Sequence, residues 1–337
     1  MTASPAAGPQ LAQIALCTND LPRTVRLYTE VFGFAEAGGK VLWGERVAQI
    51  QALGDEVGFV LWWLVGRQDL LQLEFFQHTT PRQRPLPAGW RPSDLGWVRW
   101  GLTVPDFDEA LGRLRALGVE TLGEPVVHEG LRRVCFRDPQ VGNVVEVMEE
   151  GSALPGGIRP RHFDLVPAVV YVSLSVPDLV RARRFFIGAL GLVEEPATVL
   201  HTPELEALWG LEGARRESFV ARGGDVYLEV VRYDDPAGRP KPEGYLLSDQ
   251  GFMNVALGFR DRQLLADTYD RVVASGYRAN AGPPRVAGGT YLNDDQGNSV
   301  EILLSPREFD PGFGFAPQPL FFRPPAWPQP AVGPAGA

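Results

Sequence analysis

The stretch GNVVEVME at residues 142–149 and the stretch GNSVEILL at residues 297–304 decide how this chain is organised. In each, a Gly-Asn pair suited to a tight turn feeds an alternating strand that carries one glutamate. The two stand 155 residues apart, and the same offset recurs outward from them. Glu74 in LLQLEFFQ precedes Glu229 in DVYLEVVR by 155, and Asp106 in VPDFDEALGRLRALGVE precedes Asp261 in FRDRQLLADTYDRVV by 155. Independent matches at one offset mark a tandem duplication.

A fourth pair joins residues 19–34, NDLPRTVRLYTEVFGF, to residues 177–192, PDLVRARRFFIGALGL. Each has Asp-Leu, apolar residues at helical spacing, and a Gly thirteen residues beyond the Asp. That pattern predicts a helix capped by Asp20 or Asp178 and stopped at Gly33 or Gly191. Each half also repeats internally. The result is four modules of strand, helix and three strands, at about 11–77, 97–149, 168–233 and 252–304. The fold class is α+β. The predicted boundaries are a first domain at 8–150, a Gly- and Pro-containing linker at 151–166, a second domain at 167–305, and a Pro-rich tail at 306–337. The tail should run extended over the surface through Phe321, Phe322 and Trp327.

Bulk properties narrow the partners. The chain of 337 residues has a net charge of -9 and 45% hydrophobic residues. An acidic chain without a basic patch is not built for nucleic acid or an anionic membrane surface. There is no apolar run long enough for a membrane span, and the first residues lack a secretory pattern. Two cysteines, Cys17 and Cys135, make no disulfide framework, so the expected setting is cytoplasmic. Eight Trp and 18 Phe suit thick cores and a cavity for a flat, small-molecule ligand. The chain is expected to be a monomer or a homodimer.

The Asp-Leu helices ending in Gly33-Phe34 and Gly191-Leu192, together with the Gly-Asn turns before Glu146 and Glu301, resemble the vicinal oxygen chelate superfamily. It includes glyoxalase I, methylmalonyl-CoA epimerase, extradiol catechol dioxygenases and bleomycin-resistance proteins. The resemblance covers most of the chain and implies two tandem glyoxalase-like domains of βαβββ modules with curved mixed sheets. It also implies a site fed by the first and last strand of each module. Counting seven residues back from each capping Asp places Gln13, Arg99, Tyr171 and Asn254 there; the last strands place Glu74, Glu146, Glu229 and Glu301.

With each half closing its own cavity, the first domain presents Gln13, Glu74, Arg99 and Glu146. Some glyoxalase I enzymes are similar, with Gln, Glu, His and Glu as metal ligands. An arginine has no lone pair for a metal, so Arg99, flanked by Trp97 and Trp100, should stand in for the cation and bridge Glu74 and Glu146. No metal is expected there. The second domain presents Tyr171, Glu229, Asn254 and Glu301, which could hold a divalent metal weakly, chiefly through Glu229 and Glu301. A ferrous site without imidazole is disfavoured.

The resemblance then implies an isomerase, epimerase or lyase that moves a proton next to a carbonyl of a small hydrophobic or aromatic metabolite, with Glu74 or Glu146 as base. The alternatives are a non-catalytic binder of the bleomycin-resistance kind and a dioxygenase-like enzyme with a non-standard metal site. His78, Trp63 and Trp97 are candidate substrate contacts. His78 lies four residues after Glu74, on the same strand face, though a strand-end histidine is more often solvated. Trp62 and Trp63 must split between the two faces. Trp43 and Trp209 fall in the middle of modules one and three, where such proteins cover the cavity. His128, His162 and His201 have no partner at metal-ligand spacing.

Overall fold

The computed structural model describes residues 8–54, 56–151, 154 and 163–318. Most of the 151–166 linker, His162, and Phe321, Phe322 and Trp327 of the tail lie outside the described residues. Module one is β1 (Gln10–Cys17), α1 (Leu21–Phe32), β2 (Ala35–Trp43), α2 (Glu45–Gln51), β3 (Gly58–Val65) and β4 (Gln72–Thr80). Module two is β5 (Gly96–Val104), α3 (Phe107–Ala116), β6 (Val126–His128), β7 (Leu131–Arg137) and β8 (Val144–Glu149). Module three is β9 (Ala168–Ser175), α4 (Leu179–Arg183) continued as a wider turn over Arg184–Ala189, β10 (Val193–Glu195), β11 (Arg215–Gly223) and β12 (Val226–Asp235). A 3-10 turn at Pro203–Trp209 lies between β10 and β11. Module four is β13 (Gly251–Phe259), α5 (Arg262–Ala274), β14 (Arg278–Ala279), β15 (Gly288–Asn293) and β16 (Ser299–Leu304), followed by a 3-10 turn at Arg307–Phe313. Among the described residues no helix is long and apolar enough to cross a membrane.

The caps act as the spacing predicts. Asp20, Asp106, Asp178 and Asp261 each accept from a backbone N–H of the first helical turn, satisfying donors that a helix start leaves open. Gly33 takes the left-handed conformation, φ 79°, that ends α1.

The strands form two mixed eight-stranded sheets. The first runs β14-β15-β16-β13-β1-β4-β3-β2 and the second β10-β11-β12-β9-β5-β8-β7-β6. Modules one and four therefore share a sheet, and so do modules two and three. The seams are antiparallel, β1 on β13 and β5 on β9. This corrects the expectation that each half closes its own cavity. Within a half, neighbouring modules meet through their helices and inner faces instead. Tyr28 of α1 stacks on Phe75 of the first sheet at 5.0 Å and on Trp100 of the second at 5.7 Å. Its hydroxyl donates to Asp138 Oδ2 at 2.7 Å.

One core joins these inner faces. It takes Ile14, Leu73 and Val255 from the first sheet, Leu102, Val145 and Val172 from the second, and the apolar sides of α1, α3, α4 and α5. Truncating a large buried aromatic in such a core costs about 3–5 kcal/mol. The opposite, outer face of each sheet carries its own smaller clusters. Strand alternation sends Ile14 and Leu16 inward and Gln13, Ala15 and Cys17 outward.

Because each half supplies only half of each sheet, residues 8–150 expressed alone would leave the edges of β1 and β5 unpaired. Size exclusion with light scattering should find this fragment aggregated or paired with itself. A folded, cooperatively melting monomer would contradict the cross-half pairing.

Candidate functional site

The outer face of the first sheet brings together Gln13 of β1, Glu74 of β4, Asn254 of β13 and Glu301 of β16. The four strands are adjacent, with Ala15 paired to both Glu74 and Asn254, and Ala256 paired to Glu301. Glu74 is buried and accepts from Trp63 Nε1 at 2.8 Å. Glu301 is partly exposed. Its carboxylate lies over Gly289, where a Cβ would come 1.7 Å from Glu301 Oε1, so the β15 position tolerates no side chain while Glu301 stays in place.

The amides are held and left incomplete. With the Gln72 amide nitrogen facing the carbonyls of Phe313 (3.2 Å) and Gly314 (2.7 Å), its oxygen accepts from Gln13 Nε2 at 2.9 Å. Asn254 Nδ2 reaches Ser299 Oγ at 3.5 Å. Gln13 Oε1 and Asn254 Oδ1 are buried and accept no hydrogen bond. A buried acceptor without a donor carries a desolvation cost.

Charge on this face is also incomplete. Burial pushes the Glu74 carboxyl up to about 8, against the Trp63 hydrogen bond and Lys40, which pull it down. Burial and then the charge of Glu74 hold Glu301 well above the usual carboxylate range. Burial and the two glutamates raise the Tyr291 hydroxyl in the same way. Lys40, the cation acting on Glu74, sits over the rings of Trp63 (5.2 Å) and Phe313 (4.4 Å). Among the described residues no three of His, Cys, Asp and Glu gather as a metal cluster. The donor set here is instead two carboxylates and two amide oxygens, a hard, doubly negative set that fits a divalent cation of the Mg²⁺, Mn²⁺ or Ca²⁺ kind.

The equivalent face of the second sheet carries Arg99, Glu146, Tyr171 and Glu229, and it is closed. His201, from the segment before the Pro203–Trp209 turn, lies between the carboxylates: Nε2 is 3.0 Å from Glu146 Oε2 and Nδ1 3.2 Å from Glu229 Oε1. Glu146 also accepts from the Tyr171 hydroxyl at 2.5 Å and from Arg133 Nη1 at 3.4 Å. Glu229 accepts from Arg99 Nη2 at 2.7 Å and Ser173 Oγ at 2.6 Å, with Arg216 Nη1 at 3.5 Å. Arg99 Nη1 donates to the Tyr233 hydroxyl, which donates to Glu206, itself paired with Arg216. The ring of Trp209 covers Arg99 at 4.0 Å. Glu146, Glu206 and Glu229 thus meet three guanidinium groups, Arg99, Arg133 and Arg216, with the His201 ring between two of them.

The titration directions follow. Burial would lower the His201 value, but Glu229 and Glu146 overcome it and raise it. Burial would raise both glutamates, but His201 above all brings Glu146 down to about 2 and, with Arg99, holds Glu229 well below the usual range.

The predicted residues are thus regrouped. Gln13 and Glu74 meet Asn254 and Glu301, while Arg99 and Glu146 meet Tyr171 and Glu229. Arg99 does not bridge Glu74 and Glu146, which lie on different sheets; it pairs with Glu229. Tyr171 donates to Glu146. On the second sheet Arg99, Arg133 and Arg216 meet Glu146 and Glu229, with the His201 ring between the two carboxylates. No motif flagged His201; its position in the covering segment of module three, eight residues before Trp209, was the available signal.

Trp63 touches Glu74, whereas Trp62 turns to the other face and donates to Glu36. Trp97 lies away from the carboxylates: it donates to Ser299 O at 3.3 Å, stacks on Phe252 at 5.6 Å and lines a separate cavity. His78 is buried rather than solvated. Its Nε2 is 3.2 Å from Gln51 Oε1, and burial lowers its value to about 4, so the ring is neutral. Trp43 is 73% exposed and covers nothing; α2 and the Arg307–Phe313 turn flank the first outer face instead.

Removing the central imidazole should leave Glu146 and Glu229 facing each other in a closed interior. His201→Ala should destabilise by about 1–3 kcal/mol in urea unfolding, the cost of leaving buried carboxylate oxygens without a donor while their arginine partners remain. The depressed glutamates add stability above the unfolded carboxylate range and lose it as pH falls through their lowered values. His201 adds stability below the ordinary imidazole value and loses it as pH climbs through its raised value. Wild-type stability should therefore persist to more acidic pH than that of His201→Ala. Equal urea midpoints for the two proteins would contradict this.

Residues 10–147 match the family model of the Glyoxalase/Bleomycin resistance protein/Dioxygenase superfamily. No curated protein matches the chain in sequence. Among solved structures, a glyoxalase I mutant from Zea mays is similar at 15% identity and TM-score 0.58, covering 88% of this chain and 94% of its own. A putative dioxygenase from Bacillus subtilis is similar at 16% identity and TM-score 0.59, covering 90% and 88%. At these identities the likeness is one of fold. Residues 10–147 thus match the Glyoxalase/Bleomycin resistance protein/Dioxygenase superfamily model, and the chain as a whole shares the fold of these solved structures.

Proposed function

We propose that the outer face of the first sheet is a divalent-cation centre for proton transfer next to a carbonyl, in an isomerase, epimerase or lyase reaction on a small hydrophobic or aromatic metabolite. The observation that carries this reading is the incomplete charge and hydrogen bonding of one cluster. Glu74 and Glu301 lack a full counter-charge, and Gln13 Oε1 and Asn254 Oδ1 lack donors. This revises the expectation of a metal-free first half: the residues that best suit a cation come one pair from each half.

Gln13, Glu74, Asn254 and Glu301 would hold the ion, which when bound supplies Lewis-acid polarisation of a carbonyl oxygen. The protein's own groups do the rest. Trp63 fixes Glu74 by its indole N–H, which makes Glu74 the anchored carboxylate. Glu301, partly exposed beside the cavity of about 380 Å³ that Gly288 and Gly289 line, is placed to take a proton from substrate carbon and return it. Phe59, Leu61, Phe76 and Met253 give the face an apolar wall suited to a hydrophobic substrate. An iron oxygenase centre has less support, because His78 is turned to Gln51 and the four donors include no imidazole.

Raised carboxyls are protonated in the fold, and the stability they contribute falls as pH climbs through their values. A cation must displace those protons, so its affinity should rise with pH. Titration with Mn²⁺ followed by electron paramagnetic resonance should show one ion per chain, bound more tightly at pH 8.5 than at pH 6. Glu301→Gln should weaken it by roughly tenfold or more. With Mn²⁺, the protein should speed deuterium uptake at the carbon next to the carbonyl of 2-hydroxyacetophenone, and Glu301→Gln should not. No Mn²⁺ binding would overturn the cation centre; binding without exchange would leave a binder rather than an enzyme.

A further inference from the structure

A second cavity, of about 470 Å³, opens beyond the carboxyl-terminal end of α2. Its walls come from residues 51–53, from the 236–250 connection between modules three and four, and from the starts of β5, β13 and β16. Its size is within the usual range for a small-molecule site, roughly 300–1,000 Å³. We propose that this cavity binds a planar organic carboxylate, with Lys241 as the charge that recognises it.

Lys241 carries the argument. Its ammonium lies over the rings of Tyr245 (4.2 Å) and Trp90 (4.8 Å), and among the described residues no carboxylate forms an ion pair with it. The acid nearest in the lining, Asp249, is already satisfied. Arg84 reaches it with Nη2 at 2.6 Å and Nε at 3.0 Å, and the backbone N–H groups of Arg84 and Leu246 donate to it at 2.8 and 2.7 Å. Asp94 is likewise taken by Arg91 and Arg239. The charge of Lys241 is therefore left over, in a place where burial lowers its value to about 8. Arg278, also in the lining, is exposed and forms no ion pair among the described residues. A half-desolvated cation without a partner is unfavourable, and an anionic ligand supplies the partner.

The shape of the wall selects the rest of the molecule. Trp97 and Phe252, stacked on one another at 5.6 Å with 26° between planes, join Met253 and Leu247 in the apolar part of the lining. An apolar, partly aromatic lining of this kind suits an aromatic body. A phosphate dianion would ask for several converging donors, whereas one half-buried ammonium over the rings of Tyr245 and Trp90 matches a single carboxylate on a flat body. The site does not depend on the cation centre, because none of Gln13, Glu74, Asn254 or Glu301 lines it.

The test uses 2-naphthoate and its neutral isostere 2-naphthamide as probes, with the full-length protein in calorimetry. Naphthoate should bind at least tenfold more tightly than naphthamide. Lys241→Met should erase that difference, Lys241→Arg should keep most of it, and Glu74→Gln should leave it unchanged. Should Lys241→Met fail to fold, the wild type still decides: naphthoate should shift the indole N–H resonances of Trp97 and Trp90 and spare Trp63. Equal binding of the two probes, an unaltered preference in Lys241→Met, or shifts confined to Trp63 would overturn the proposal.

Discussion

A glutamate on the last strand of every module points at the middle of an outer sheet face, so each eight-stranded sheet must accommodate two carboxylates wholly or partly out of water. The energy of isolated buried carboxylates is prohibitive, and each face needs an answer. The second sheet answers with its own side chains: His201 lies between Glu146 and Glu229, and Arg99, Arg133 and Arg216 close the remaining charge. The first sheet has only Lys40 acting at the side of Glu74, and its carboxyls stay high. The same duplicated scaffold thus holds one cluster closed by its own cations and one whose carboxylates lack a full counter-charge. A site that must exchange ions or substrates cannot be closed by covalent cations, which is why the incomplete face is the one read as functional.

That division depends on how the modules pair. The antiparallel seams β1–β13 and β5–β9 place first-strand and last-strand residues of two distant modules on one face. The inner faces, tied through Tyr28 with Phe75 and Trp100, hold the two sheets and their helices in one core. Covering segments then differ between sheets. Module three inserts His201 and Trp209 over its face, while module one places α2 beside cavities of about 470 and 380 Å³.

Much of this was legible in the chain. The 155-residue offset, the Asp caps and the Gly-Asn turns located every module, because these are local features set by backbone geometry and capping chemistry. Gln13, Glu74, Asn254 and Glu301 were readable through the family resemblance, which implies a site residue seven positions before each capping Asp and a glutamate on each last strand. The partner of each module was not readable. Strand edges β5, β9 and β13 carry the same alternating apolar pattern, so nothing local tells β1 to choose β13. That one undetermined pairing put Arg99 beside Glu74 in the sequence reading and beside Glu229 in the structure. His201 escaped for a related reason: a covering loop has no period, and only tertiary structure reveals which face it covers.

The contrast between the two faces is most directly tested by a pH titration of the protein with ¹³C-labelled glutamate carboxyls, assigned by Glu74→Gln, Glu301→Gln and Glu146→Gln. The account predicts that, without added divalent ion, Glu74 titrates near pH 8 and Glu301 well above the usual carboxylate range, while Glu146 and Glu229 stay ionised to strongly acidic pH. Ordinary titration of all four near pH 4–5, or an ionised Glu74 at neutral pH without a cation, would contradict it.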